Sequence, residues 1–203
     1  MAAFTRHLES LSHARQPSEV FRAFATLAAC ALSAQTREPE YLAEAGRWSR
    51  PELDTFAHAL GELIEELEAA PFSDLLGPAY METLSHRGQQ WNGEFHTPPA
   101  ICQLMARLTA SDRTESPDGL IHLSEPACGA GAMILAFAEA LPREKIRRLR
   151  VSSIDINRTA CDMTFINTTL WGIPCRVYHG DTIRLQFHAA WSNLHFVCPW
   201  LVD

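Results

Sequence analysis

The stretch Glu125-Pro126-Ala127-Cys128-Gly129-Ala130-Gly131-Ala132 decides the fold. A short apolar run, Leu120-Ile121-His122-Leu123, leads into it, and an apolar helical run from Met133 to Leu141 leads out. Strand, glycine loop and helix in that order bring backbone close to a ligand. The glycines permit the tight turn, and the helix aims its N-terminus at the bound group. The leading Glu125 makes this loop acidic, which suits a ligand carrying an ammonium or sulfonium group better than a bare pyrophosphate.

Working outward, the pattern predicts strands at 120–124, 151–155, 176–179 and 194–198, with helices at 131–141 and 158–171 between them. Strands alternating with helices of this length imply parallel pairing with right-handed crossovers. Upstream, Pro98 to Leu108 reads as a helix, and 110–119 as a polar connector. Residues 1 to about 90 read as helical. Ser18 to Ala34 is apolar at helical spacing, with Ser18 as its cap. Pro51 to Ala70 carries Leu53, Phe56, Leu60, Leu63, Ile64 and Leu67 on one face, with Glu62, Glu65, Glu66 and Glu68 expected on the solvated side. Ser73 to Leu84 is a third helix. The expected organisation is a helical N-terminal region, 1–92, followed by an α/β domain, 93–203, whose C-terminal half is short.

At 203 residues the chain can bury one substantial core, or one core with a helical appendage. No apolar run reaches the length of a membrane span and no signal-peptide pattern is present, so a cytoplasmic location is expected. Six scattered cysteines lack metal-site spacing and read as reduced, buried thiols. His179, His188 and His195 are too irregularly spaced for a metal site. The net charge of −7 argues against a free-standing DNA binder, because phosphate neutralisation dominates that affinity. Locally, Arg143, Lys145, Arg147, Arg148 and Arg150 crowd between the loop helix and the next strand. They read first as a solvated helix end favoured by the dipole, and second as a nucleic-acid patch.

Two further carboxylates stand at strand ends. Asp155 closes Val151-Ser152-Ser153-Ile154-Asp155-Ile156, thirty residues after Glu125. A carboxylate at that position accepts both hydroxyls of a ribose, or caps the helix that starts at Asn157-Arg158. Behind an acidic glycine loop, the ribose role is favoured. Asp181, in His179-Gly180-Asp181-Thr182-Ile183, is either a turn residue or an acceptor for the exocyclic amine of a purine. Three acidic tips on successive strands suit a ligand with an amino-acid end, a ribose and an adenine. Gly93-Glu94-Phe95-His96-Thr97-Pro98 adds a hydroxyl at a helix start, where Thr97 caps and Pro98 takes the first position.

In order and spacing, these segments resemble the cofactor half of the N6-adenine DNA methyltransferases, including the modification subunits of type I restriction systems and related phage or plasmid methylases. That family shows a Gly-x-Phe-x-Thr-Pro segment, an Asp-Pro-Ala-Cys-Gly-Ser-Gly loop, an acidic second-strand tip and a Gly-Asp-Thr segment. Asp74-Leu75-Leu76-Gly77-Pro78-Ala79-Tyr80-Met81 looks like the family's helix ahead of the first of these. The resemblance covers roughly residues 70 to 185. It implies a Rossmann-like class I sheet and S-adenosylmethionine as cofactor. Thr97 and Glu125 would hold the methionine end, Gly129 and Gly131 would admit the backbone, Asp155 would take the ribose, and Asp181 with Thr182 the adenine. Phe95, His96, Pro98, Ala127 and Ile156 complete the expected cofactor-binding set. DNA is the implied substrate, with a recognition or completing subunit, or a homo-oligomer, as further partner.

The resemblance breaks at the family's catalytic Asn/Asp-Pro-Pro-aromatic loop. Here the matching stretch is Val197-Cys198-Pro199-Trp200, so Pro199 and Trp200 are the catalytic candidates, and Val197 and Cys198 depart from the pattern. Valine has no side-chain acceptor with which to orient a target amine. Cys198-Pro199 reverses the Pro-Cys order of cytosine-C5 enzymes. Two other readings accompany the DNA methyltransferase: a degenerate module that binds cofactor or partners without catalysis, and a small-molecule or RNA methyltransferase on the same sheet.

Overall fold

The computed structural model describes residues 3–13, 15–84, 97–110 and 116–198. These fall into two compact units. One comprises the helices up to Thr83 apart from Phe72–Asp74; the other comprises Phe72–Asp74 together with Thr97 onward.

The first unit holds α1 (Ala3–Leu11), α2 (Pro17–Ala31), α3 (Glu38–Ala45), α4 (Arg50–Ala69) and α5 (Leu76–Thr83). Helices α1 and α3 add to the three read from sequence, and both are only eight or nine residues long. The boundaries follow local chemistry. Proline near the first turn and a positive φ at Ala34 and Gln35 bracket α2. Ser49 and Glu52 form a capping box at α4, the Glu52 carboxylate accepting from the Ser49 backbone N–H at 2.7 Å. The apolar faces meet in an aromatic core, with Phe4 on Phe24 at 5.8 Å, Phe21 on Tyr80 at 5.4 Å and Trp48 edge-on to Phe56 at 4.8 Å between centroids. Glu66 departs from its expected place on the solvated side of α4: it accepts the Ala3 backbone N–H, and its other oxygen is buried.

In the second unit, α6 (Pro99–Ala110) precedes β1 (Ile121–Glu125), α7 (Ala132–Glu139), the short α8 (Arg143–Ile146), β2 (Leu149–Asp155), α9 (Arg158–Leu170), β3 (Cys175–Asp181), β4 (Gln186–Ser192) and α10 (Leu194–Val197). The sheet runs β1-β2-β3-β4, and the first three strands are parallel as their alternation with helices requires. Val151, Cys175 and Val177 are fully buried beside Phe165 and Ile166 of α9, which places the core against one face of the sheet.

Two expectations fail at the C-terminal end. Residues 194–198 do not form a strand; Leu194–Val197 is a helical turn. The fourth strand lies earlier, at Gln186–Ser192, and pairs antiparallel with β3. Fully buried Asn193 explains the difference. Its Oδ1 accepts from the N–H groups of Cys175 and Phe196, and its Nδ2 donates to the Ile173 carbonyl. An Asn that caps the following turn makes a four-residue apolar run helical, and periodicity alone cannot decide so short a run. β4 escaped detection because its Gln-Phe-His-Ala-Ala-Trp-Ser sequence is largely exposed and lacks clean alternation.

Candidate functional site

Parallel pairing sets the ends of β1, β2 and β3 on one edge, so Glu125, Asp155 and Asp181 share it. The glycine loop crosses this edge and is stitched to its neighbours. Cys128 N–H donates to the Ile154 carbonyl at 2.9 Å, and Gly129 N–H donates to Asp155 Oδ2 at 2.8 Å. Thr182 Oγ1 donates to the Pro126 carbonyl at 2.6 Å. The loop, the β2 tip and the β3 tip therefore form one hydrogen-bonded unit.

Gly129 and Gly131 hold φ of 53° and 88°, in the region that favours glycine. Gly131 is also hemmed in, since an added Cβ would stand 3.2 Å from Thr164 Oγ1. That Thr164 hydroxyl donates to the Gly129 carbonyl at 2.8 Å, so α9 supports the loop from behind.

Each predicted residue has a definite place. Glu125 is half-buried and accepts weakly from Ala127 N–H at 3.4 Å. Burial, with a smaller contribution from the Asp155 charge, raises its carboxyl above the usual carboxylate range, while the Ala127 N–H opposes the rise. Asp155 accepts from Asn157 N–H at 2.8 Å through Oδ1, in addition to its Gly129 bond. The helix cap itself is Asn157, whose Oδ1 accepts from Thr159 N–H. Ile156 projects into solvent at 68% exposure. Asp181 Oδ1 accepts from the N–H groups of Ile183 and Arg184, and Arg184 Nε lies 3.6 Å from Oδ2, so this carboxylate organises its own turn.

Thr97 is exposed and lies one position outside its expected cap. The Ile101 and Cys102 N–H groups donate to the Pro98 carbonyl and Pro99 opens α6, so Pro98 occupies the cap and Pro99 the first position. Phe95, His96, Pro199 and Trp200 lie outside the described residues. Val197 ends α10 at 50% exposure, with Cys198 after it. The basic run from Arg143 to Arg150 sits at the opposite edge, where β2 begins. Arg148 there donates to the Gly119 carbonyl at 2.7 Å and Arg150 to that of Arg147 at 3.1 Å, so both serve local structure. Sequence reading did not single out Asn157, Thr164 or Asn167, and it read Asp74 as the start of the segment resembling the family's helix. For Thr164 and Asn167, the available signal was polar residues spaced three apart within an otherwise buried helix.

Residues 72–199 match the family model described as N-6 DNA methylase, and the chain belongs to that family. It is similar to the type I restriction enzyme MpnII methylase subunit of Mycoplasma pneumoniae, with 29% identity over 131 residues, 62% of this chain and 23% of the relative. The chain thus spans about a quarter of the length of that curated relative. It also aligns with the crystal structure of a type I restriction-modification system methyltransferase subunit from Streptococcus thermophilus, at TM-score 0.44 and 19% identity over 90% of this chain and 40% of that one. The Rossmann-like α/β sheet preceded by helices accords with the family. Among the described residues, no helix is long and apolar enough to cross a membrane.

Proposed function

We propose that the chain binds S-adenosylmethionine along the carboxyl edge of its sheet and acts in methyl transfer to N6 of adenine in DNA. One observation carries this reading. Three carboxylates and a glycine loop meet at one edge, and hydrogen bonds of 2.8 and 2.6 Å tie the loop to the second and third strand tips. The donor set suits the cofactor. Glu125 offers negative charge to a sulfonium or ammonium group, Asp155 has lone pairs beyond its two backbone bonds for ribose hydroxyls, and exposed Ile156 offers an apolar surface to a purine. Asp181, with Thr182, lies at the adenine end; Gly129, Gly131 and Ala127 carry the backbone past the ligand; and Thr97 and Pro98, with Phe95 and His96, belong to the methionine end.

When bound, the cofactor supplies an electrophilic methyl group. The protein's part is to hold that group at the sheet edge and admit an adenine turned out of its stack, since the amine is out of reach inside a duplex. Pro199 and Trp200 are the proposed base-side residues. The similarity to a type I methylase subunit supports DNA as substrate, a restriction-modification setting, a recognition subunit as partner and a cytoplasmic location. The helical region 1–92 and the α/β region 93–203 are proposed as the two working parts.

Isothermal titration with S-adenosylmethionine tests the binding, and a tritiated-methyl assay on unmethylated genomic DNA tests the transfer. Asp155→Ala is expected to abolish cofactor binding. Unchanged affinity would show that Asp155 serves only the Gly129 and Asn157 amides.

A further inference from the structure

The sheet has two faces of different chemistry. Side chains alternate along a strand, so residues joined across the register share a face. On one face Leu149, Val151, Ser153, Cys175 and Val177 are fully buried, and right-handed crossovers that step in one direction bring α7 and α9 to that side. Glu125, Asp155 and Asp181 belong to this alternation. Among the described residues, the strands contribute no carboxylate to the other face.

The residues of that second face line up across the register. Ser124, Ser152, Arg176 and Ser192 form one row over all four strands, and His122 stands beside Arg150 in the row before it. Ser124 is exposed and the other three of the row are half-buried. Arg176 Nε donates to Ser192 Oγ at 2.7 Å, and the guanidinium lies 4.8 Å from the centre of the Phe196 ring. Among the described residues, its two Nη groups and the Ser124 and Ser152 hydroxyls make no hydrogen bond. Arg150 uses only Nη1, on the carbonyls of Arg147 and Leu149. Toward the strand tips come Ile154 and Tyr178, and then Gly180 paired with Phe187. The Phe187 ring is 47% exposed and 5.6 Å from Tyr178 between centroids. A Cβ on Gly180 would stand 2.8 Å from Phe187 Cδ1, so the missing side chain lets this ring lie against the sheet. A parallel sheet ordinarily hides both faces behind apolar side chains. Serines and arginines stand here instead, which suits a polar partner and not a second layer of apolar helices.

We propose that this face holds a single strand of DNA, with phosphates on the serine–arginine row and a base on the Phe187 ring. Hydroxyls and guanidiniums are the donors that phosphate oxygens accept from. An exposed ring beside them is a stacking platform open to any unpaired base, whereas a duplex keeps its bases inside the stack. The net charge of −7 does not oppose this, because at about 0.1 M salt charges act over about 10 Å and the strand carboxylates are sorted to the other face. The face reaches the carboxyl edge at Gly180, beside Asp181, so a strand held on it runs toward the proposed site of methyl transfer. The choice of DNA rests on that reading; the surface does not.

The test is fluorescence anisotropy of the full chain with labelled oligo(dT) of about 12 nucleotides, without cofactor and over a range of salt. Wild-type protein should bind, and log Kd should rise linearly with log salt. Arg150→Gln should lower that slope by about 0.7, the share of one phosphate on a single strand. Phe187→Ala should weaken binding about 5–100-fold with the slope unchanged. Ser124→Asp, at an exposed position, sets a carboxylate against phosphate and should weaken binding by about tenfold or more. Arg22→Gln, which removes an exposed cation of the helical unit, should stay within about twofold of wild type. Should Phe187→Ala not fold, Phe187→Leu keeps the bulk without the ring and should show the same loss. Absence of binding by wild-type protein would overturn the proposal, as would tighter binding of oligo(U) or face variants that behave like Arg22→Gln. S-adenosylmethionine titration and methyl transfer are read separately. Oligo(dT) binding without either leaves the face in place and removes the methyltransferase reading, and both without oligo(dT) binding do the reverse.

Discussion

Replacing Gly131 with alanine tests whether the glycine loop is built as described. The residue sits at φ 88°, and an alanine forced to remain there carries about 1–2 kcal/mol of backbone strain. Its Cβ would meet Thr164 Oγ1 at 3.2 Å, with Thr164 Cα and Cγ2 both at 3.6 Å. The first contact is tight, so the hydroxyl must move, and it is this hydroxyl that donates to the Gly129 carbonyl at 2.8 Å. Loosening that bond adds about 0.5–1.5 kcal/mol. Gly131→Ala should therefore destabilise the protein by about 2–3 kcal/mol, read from urea denaturation. The proposed cofactor site should suffer as well, because the residue whose carbonyl loses this bond, Gly129, also donates its N–H to Asp155. Thr164→Ala separates the two causes. It removes the contact and leaves the dihedral strain, so a double-mutant cycle should show coupling of about 1 kcal/mol. A Gly131→Ala protein within about 0.5 kcal/mol of wild type would refute the reasoning, since that is the range of an unconstrained surface site.

Two other outcomes are expected. The raised Glu125 carboxyl holds its proton more tightly in the ligand-free fold than in the unfolded chain. The protonated form thus favours the fold, and that stability is lost as pH rises through the raised value. Glu125→Gln should therefore raise the neutral-pH melting temperature while weakening S-adenosylmethionine, whose affinity in wild type should fall as acid protonates Glu125; a lower melting temperature would contradict this. All six cysteines are free, and Cys198 alone is not fully buried. Burial pushes the Cys175 thiol up to about 11 and raises those of Cys128 and Cys161 too. Native protein should accordingly give one fast thiol with a disulfide reagent and five slow ones, and several fast thiols would show that the loop core is open.

What was legible in the sequence was whatever local chemistry writes into neighbouring residues. Glycine at positive φ, a proline in the first turn of a helix and a carboxylate at a strand end each leave a mark a few residues long, and β1, β2, β3, α2, α4 and α9 were found from such marks. β4 was not, because its residues lack clean alternation, and α10 was not, because its identity is settled by Asn193 reaching Cys175 and Ile173 about twenty residues away. The same limit hid the contact between Asn167 of α9 and Asp74, which precedes α5 and lies 93 positions away.

The acidic tips differ in how far backbone groups occupy them. From sequence, Asp155 seemed to choose between capping a helix and meeting a ligand. In the fold it accepts the Asn157 N–H at the start of α9 with one oxygen and anchors the Gly129 N–H with the other, while Asn157 takes the capping. A carboxylate oxygen accepts more than one hydrogen bond, so serving the backbone does not exhaust it. The structural bonds instead fix the direction of the lone pairs that remain, which is the preorganisation the proposed ribose contact requires. Asp181 is the contrasting case. One oxygen takes two amides of its own turn and the other faces Arg184, which leaves it less capacity for a purine amine than Asp155 has for a ribose. For the proposed cofactor the edge is therefore graded, with stronger recognition expected from Asp155 at the ribose than from Asp181 at the base.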